Sequence, residues 1–307
     1  MPATQPRIAV LVPCYNEALT VAAVAKGFRA ALPDATIYVY DNNSTDGTAD
    51  VARAAGAEVR FEKAPGKGNV VRRMFADIEA DWYIMVDGDA TYDAVAAPRL
   101  IETAIAGGYD MVNVAREETG EKAYRRGHRF GNRLLTGLVG AIFGSRTRDM
   151  LSGYKVFSRR FVKSFPAMST GFEIETELMV HVLELRLPVA EISAPYGERP
   201  EGSTSKLATY RDGFIILRLI GILVQRERPL EFFSAVAAVL MLASLGLGVP
   251  VVWTFLETGL VPKLPTAVLA ASLMLAAFLS VAVGLILSAI THTRREMMRL
   301  TYLALRG

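Results

Sequence analysis

Two carboxylates, Asp87 and Asp89, bracket Gly88 directly after the apolar run Trp82 to Val86. Carboxylates this close repel one another. Alternation along an extended segment turns both side chains to one side of a strand end, where a divalent cation would offset the repulsion. Hard oxygen ligands favour Mg²⁺ or Mn²⁺. A solvated turn is the alternative reading of the same residues. Two other apolar runs also end in polar loops: Ile8 to Val12 leads into Pro13-Cys14-Tyr15-Asn16-Glu17, and Thr36 to Tyr40 leads into Asp41-Asn42-Asn43-Ser44-Thr45-Asp46-Gly47-Thr48. For Ser44, Thr45 and Gly47, turn formation and helix capping are the simpler explanation. Neither a metal site nor a triad is built from His128, His181 and His292, which are scattered. Cys14, the single cysteine, excludes an intramolecular disulfide and any multi-cysteine metal site, in keeping with a reducing compartment.

These loops need elements to position them. Strand-like runs at Ile8 to Val12, Thr36 to Tyr40, Glu58 to Phe61, Trp82 to Val86 and Met111 to Ala115 alternate with helical patterns at Ala18 to Leu32, Thr48 to Ala55 and Lys67 to Ala80. The alternation predicts an α/β fold with a mostly parallel sheet flanked by helices. Ligands of such sheets collect beyond the carboxyl ends of the strands, where the polar loops fall.

The C-terminal third is different material. Phe232 to Leu256 and Leu264 to Ile290 contain no Asp, Glu, Lys or Arg, and each exceeds the roughly 20 residues a helix needs to cross a bilayer. Gly259 and Pro262 lie in the short link between them, so a hairpin is expected; a buried soluble helix pair is the alternative. The expected domains are a catalytic domain over 1–208, a juxtamembrane amphipathic helix over 209–230, and a transmembrane hairpin with a short basic tail over 231–307. Arg211, Arg218, Arg226 and Arg228 precede the first span and Arg294, Arg295, Arg299 and Arg306 follow the second, against Lys263 between them. By the positive-inside rule both termini are cytoplasmic. No apolar stretch of signal-peptide length after a basic segment precedes Ile8, so the large domain is expected in the cytosol, on an inner membrane. A net charge of +3 gives no case for nucleic acid, and the basic residues beside the spans point to the lipid bilayer. Alanine and glycine recur through both spans and suit close helix packing, within one chain or in a homo-oligomer.

Together with Gly66-Lys67-Gly68-Asn69, Asp149-Met150-Leu151-Ser152-Gly153-Tyr154-Lys155 and Gly171-Phe172-Glu173-Ile174-Glu175, these loops resemble family 2 glycosyltransferases of the glycosyltransferase-A fold. The order and spacing are similar to the branch of dolichyl-phosphate mannose synthase and bacterial polyprenyl-phosphate glycosyltransferases. That resemblance implies inverting transfer of a sugar from a GDP- or UDP-sugar donor to the phosphate of a polyprenyl lipid, undecaprenyl or dolichyl. It implies nucleoside contacts from Pro13, Tyr15, Glu17 and Asp41, although Glu17 could instead cap the helix expected from Ala18. It makes Asp89 the direct metal ligand, with Gly88 and Asp87 beside it at the ribose or the metal's water shell. Arg116, expected just after the fifth strand, and Arg199 and Lys206 are assigned to the diphosphate, with a solvated surface charge as the alternative for each. Lys67 is assigned to the donor site, with a plain turn ahead of a helix as its alternative. Asp149 is expected to orient the sugar or acceptor.

A phosphomonoester with a second pKa near 6 is largely dianionic at neutral pH, so this acceptor needs placement more than a general base. Arg125, Arg126, Arg129 and Arg133 are expected to supply cations to the lipid phosphate, ahead of an interfacial helix at Leu134 to Phe143. A helix packed on the protein with its arginines in water is the alternative. A second interfacial segment is expected at Tyr210 to Val224, and Glu175 is a structural or acceptor-side candidate. A hydroxyl acceptor, or a non-catalytic membrane scaffold, are the competing functions.

Overall fold

A computed structural model of the chain describes residues 5–118, 136–137, 140, 148–171, 173–197, 221–222 and 224–305. Its strands are β1 (Ile8–Cys14), β2 (Thr36–Asp41), β3 (Glu58–Phe61), β4 (Trp82–Met85), β5 (Met111–Glu118), β6 (Lys155–Ser158) and β7 (Val189–Tyr196). They form one sheet in the order β3-β2-β1-β4-β6-β5-β7. Pairing is parallel except at β6, which runs antiparallel to both β4 and β5. The expected mostly parallel α/β sheet is present; β6 and β7 are additions to it.

Helices α1 (Val21–Ala31), α2 (Thr48–Ala54), α3 (Lys67–Asp77), α4 (Ala97–Gly107), α5 (Arg159–Ser164) and α6 (Ile174–Leu185) accompany the sheet. Val10, Val12, Ile84, Val112 and Val156 from central strands share a buried core with Val24 and Phe28 of α1 and Leu100 of α4. Burying each such side chain is worth about 1.5–3 kcal/mol. Local signals set the ends. The Phe161 amide donates to Ser158 Oγ (3.1 Å), capping α5, and Gly108 closes α4 with a left-handed φ of 60°.

The chain divides into two compact units, Met1–Ile216 with Met298–Gly307, and Leu217–Met297. Within the second, α7 (Pro229–Thr258) pairs with α8 (Leu264–Ala304) over the part of α8 up to Met297; α8 extends 14 residues beyond the expected span end at Ile290. Ser244 Oγ donates to the Ala270 carbonyl (2.7 Å), and Gly248 faces the Ala270 methyl. Both helices are long and apolar enough to cross a membrane, with mean hydropathies of 2.3 and 2.6 over an 18-residue stretch of each, and leave most of their apolar side chains uncovered. Glu227, buried, receives Arg294 (3.0 Å) and Arg295 (2.9 Å) at the hairpin's open end.

Candidate active site

The carboxyl edge of the sheet gathers the polar loops, and β6 explains how a distant segment joins them. Because β6 is reversed, its first residue, Lys155, lies opposite Met85 near the carboxyl end of β4. The segment 149–154 that leads into it therefore enters at this edge.

The first two loops are sewn together by side chains acting on backbone. The Asn16 amide donates to Ser44 Oγ (2.8 Å), Thr45 N to Asn16 Oδ1 (2.8 Å), Glu17 N to Thr48 Oγ1 (2.9 Å) and Ala18 N to Asp46 Oδ2 (3.0 Å). Burial acts upward on the Asp46 carboxyl, but hydrogen bonds from Thr48 and Ala18 hold it below the usual carboxylate range. Ser44 and Thr45 thus shape the turn, and Gly47, at φ 84°, precedes α2. Helix α1 begins at Val21, later than expected; the Glu17 carbonyl accepts from Thr20 and Val21 amides (3.0 and 2.9 Å) at its start. Pro13 is in β1, and Tyr15 is 47% exposed on the rim.

Asp41, the last residue of β2, is 4% exposed. Its Oδ2 accepts from the Ser44 amide (3.2 Å), while the buried Oδ1 has no hydrogen-bond partner among the described residues. A buried carboxylate oxygen left so is destabilising by about 1–3 kcal/mol, which a ligand N–H or O–H would recover. Next to it, Asn42 accepts from the Gly66 amide (2.7 Å) and donates to the Glu62 and Ala64 carbonyls (2.8 Å each), fixing the approach to Lys67.

The two carboxylates after β4 have different surroundings. Asp89 is 3% exposed, and its Oδ1 accepts from Thr91 Oγ1 (2.6 Å) and the Thr91 amide (3.2 Å). Between them, the Gly88 carbonyl accepts from Thr20 Oγ1 (2.6 Å), and a Cβ on Gly88 would lie 2.6 Å from Cys14 Sγ. Only glycine lets the loop sit this close to β1. Asp87 forms an ion pair with Lys67 (2.5 Å). Its Oδ2 rests where a Cβ on Gly153 would lie, at 2.1 Å.

Lys67 also pairs with Glu175, and both side chains are 9% exposed. Burial disfavours the Lys67 ammonium, but Asp87 and Glu175 outweigh it and raise its pKa. Burial raises the Glu175 carboxyl despite the opposing Lys67 charge. The flanking glycines make this pairing possible: a Cβ on Gly66 would meet the Thr170 carbonyl oxygen at 2.2 Å, and one on Gly68 the Ser169 oxygen at 2.2 Å. Backbone 169–170 docks on the start of α3, bringing the first turn of α6 within reach. Lys67 therefore sits between two carboxylates, the buried Glu175 and the partly exposed Asp87.

Arg116 lies within β5, not after it, because β7 pairs along the full length of that strand. Its Nε and a terminal nitrogen donate to the two oxygens of Asp149 (2.6 and 2.8 Å), and its backbone amide donates to Oδ2 (3.3 Å). The cation expected on a diphosphate and the acid expected to orient sugar are thus each other's partners. The Arg116 guanidinium stands 5.4 Å from the Tyr196 ring centre. Tyr92, which sequence reasoning did not select, accepts from the Gly153 amide (2.8 Å), and burial raises its phenol well above the ordinary value. Arg125, Arg126, Arg129, Arg133, Arg199 and Lys206 lie outside the described residues.

Among the described residues no group of three or more His, Cys, Asp or Glu gathers as a metal site. Asp87 and Asp89 fit a cation that takes one or two carboxylates and completes its shell with phosphate and water, as Mg²⁺ does. Of the two, Asp87 shares its charge with Lys67, whereas Asp89 Oδ1 is held by Thr91.

Gly153→Ala tests the Asp87 seat. Displacing that carboxylate is expected to lower turnover tenfold or more while the melting temperature stays within a few degrees, since misplacement of about 1 Å can cost about 10²-fold. Unchanged kinetics would show that the seat is unimportant.

Residues 9–165 match the family described as Glycosyl transferase family 2. Glycosyltransferase AglJ of Haloferax volcanii is 35% identical over 252 residues, covering 81% of this chain and 82% of its own. A dolichyl-phosphate hexose transferase of the same organism is 25% identical over 222 residues, covering 72% of this chain and 95% of its own. Among solved structures, glucosyl-3-phosphoglycerate synthase from Mycobacterium tuberculosis, in complex with Mn²⁺, UDP-glucose and phosphoglyceric acid, aligns with a TM-score of 0.59 at 23% identity, over 72% of this chain and 79% of that one. This last likeness shows the fold alone. The family match across β1 to β6 and the AglJ relative together place the chain in glycosyl transferase family 2, as a glycosyltransferase.

Proposed function

We propose that this glycosyltransferase moves a hexose from a GDP- or UDP-sugar to the phosphate of a polyprenyl lipid, undecaprenyl or dolichyl, with inversion, at the cytoplasmic face of a membrane. The observation that carries the reading is the convergence at one sheet edge of the buried Asp41 oxygen, the Asp87-Gly88-Asp89 loop and the Arg116–Asp149 pair. Asp41 accepts a hydrogen bond from the nucleoside, and Tyr15 and Pro13 line its approach. Asp89, with Asp87 beside it, would hold the Mg²⁺ or Mn²⁺ that supplies charge neutralisation at the departing diphosphate. The fold neighbour was solved with Mn²⁺ and UDP-glucose, the class of cation and donor that this reading needs. Arg116, held flat by Asp149, adds a fixed cation, and Asp149 orients the incoming groups instead of removing a proton. Arg199 and Lys206 are further diphosphate cations in this reading, and Arg125, Arg126, Arg129 and Arg133 receive the lipid phosphate. Two apolar helices and a relative named for dolichyl phosphate support the lipid acceptor.

The test incubates the full-length chain in detergent with UDP-glucose, UDP-galactose or GDP-mannose, undecaprenyl phosphate, and MnCl₂ or MgCl₂. An acid-labile labelled lipid is the expected product. An acid-stable glycolipid would replace this reading with a hydroxyl acceptor.

A further inference from the structure

Lys155 is a fully buried cation on a central strand, outside the residues assigned so far. An ammonium has three donors and no acceptor, and Lys155 makes a single hydrogen bond among the described residues, to Asn113 Oδ1 (2.5 Å) across the β5–β6 ladder. Burial lowers its pKa to about 8, against the opposing pull of Glu175 on α6 and Asp149. An apolar residue here would avoid the desolvation of a charge, so packing alone does not call for a lysine.

Its effect on Asn113 supplies that. Asn113 is itself fully buried, and its Nδ2 donates to the Asp149 carbonyl (2.8 Å) and to Glu191 Oε2 (3.0 Å). Glu191 in turn accepts from the Arg148 amide (3.0 Å). An amide side chain can occupy the same space with its oxygen and nitrogen exchanged. Partners at both ends remove this freedom: the Lys155 ammonium only donates, so the oxygen faces it, and the Asp149 carbonyl and Glu191 carboxylate only accept, so the nitrogen faces them. We propose that Lys155 is a positioning residue for glycosyl transfer, steadying the backbone of Asp149 by anchoring the Asn113 amide at its oxygen end. The Arg116 pair holds the Asp149 side chain; Lys155, through Asn113, holds its peptide. The inference rests on the reading of Asp149 as a site residue.

Lys155→Met leaves the buried Asn113 Oδ1 without this donor, so the amide is held at its nitrogen end alone. Asn113→Asp keeps an acceptor for Lys155, so the buried ammonium stays paired, but presents oxygen where the Asp149 carbonyl and Glu191 need a donor. Amide hydrogen exchange on the full-length chain in detergent should show at least tenfold faster exchange across Arg148 to Tyr154 in both variants. Strands β1 and β2 should stay within twofold of the parent. Turnover should fall about tenfold with the donor KM within twofold. Unchanged exchange across Arg148 to Tyr154, or equal loosening of all strands, would overturn the proposal. If the parent chain turns over none of the donors tested, the proposed function fails on its own and the exchange measurement still decides this one.

Discussion

Asp89→Asn is expected to lower turnover about a thousandfold while leaving the fold intact, the size of loss seen when a preorganised charge-stabilising group is removed. The substitution changes charge and almost nothing else. Its carbonyl oxygen can still accept from the Thr91 hydroxyl and amide, which now hold Asp89 Oδ1, so the turn after β4 keeps its cap. What is lost is a hard anionic oxygen at the strand end, the metal ligand of the proposed function. Turnover measured against Mn²⁺ or Mg²⁺ concentration, with a melting curve for each protein, checks this. Activity within tenfold of the parent would remove Asp89 from the role given to it. Asp87→Asn should be milder in metal response and should also disturb Lys67, because that carboxylate already has a protein cation.

The second large effect concerns stability. Lys67→Met leaves Asp87 and Glu175 facing one another without their shared cation. Removing one member of a buried ion pair typically destabilises by about 3–5 kcal/mol, since the remaining charge keeps its desolvation penalty. The sign of the pH dependence follows from Glu175. Burial already raises its carboxyl, and without Lys67 the Asp87 charge adds to burial. A carboxyl raised in the folded state is tolerated where it is protonated and becomes unfavourable as pH rises through the folded pKa. The variant's loss relative to the parent should therefore be smaller at pH 5 than at pH 8. Melting temperatures of both proteins at the two pH values provide the measurement, and an equal loss at both would show that these three side chains are not the origin.

Much of this architecture is readable from short range. Glu58 to Phe61 coincides with β3, and β1, β2 and β4 match their apolar runs to within two residues, because each run ends in turn-forming residues. The site loops follow from the same pattern, since a parallel sheet delivers its strand ends to one edge. Strand β6 escapes such a reading. Lys155-Val156-Phe157-Ser158 is four residues long and buried at every position, so it has no alternation, and it opens on a charged residue. Arg116 was expected beyond a strand because the partner that extends β5 lies far downstream in β7. Lys67 shows the same limit for chemistry. Its flanking glycines are visible, but their partners are backbone at 169–170, and Glu175 is 108 residues away.

The reversed strand also dictates an order of birth. A ribosome delivers β1 to β4 in a sequence that can pair as it emerges, β3-β2-β1-β4. When β5 follows, its place in the finished sheet is not beside β4: the intervening position belongs to β6, which has not yet been made. Until then the growing chain carries an exposed edge on β4, the kind of template on which strands of other molecules pair. Polypeptides cut short before Ser158 should therefore clump rather than persist as donor-binding fragments. In the living cell, the same gap sets a vulnerable interval that closes with the arrival of one four-residue strand.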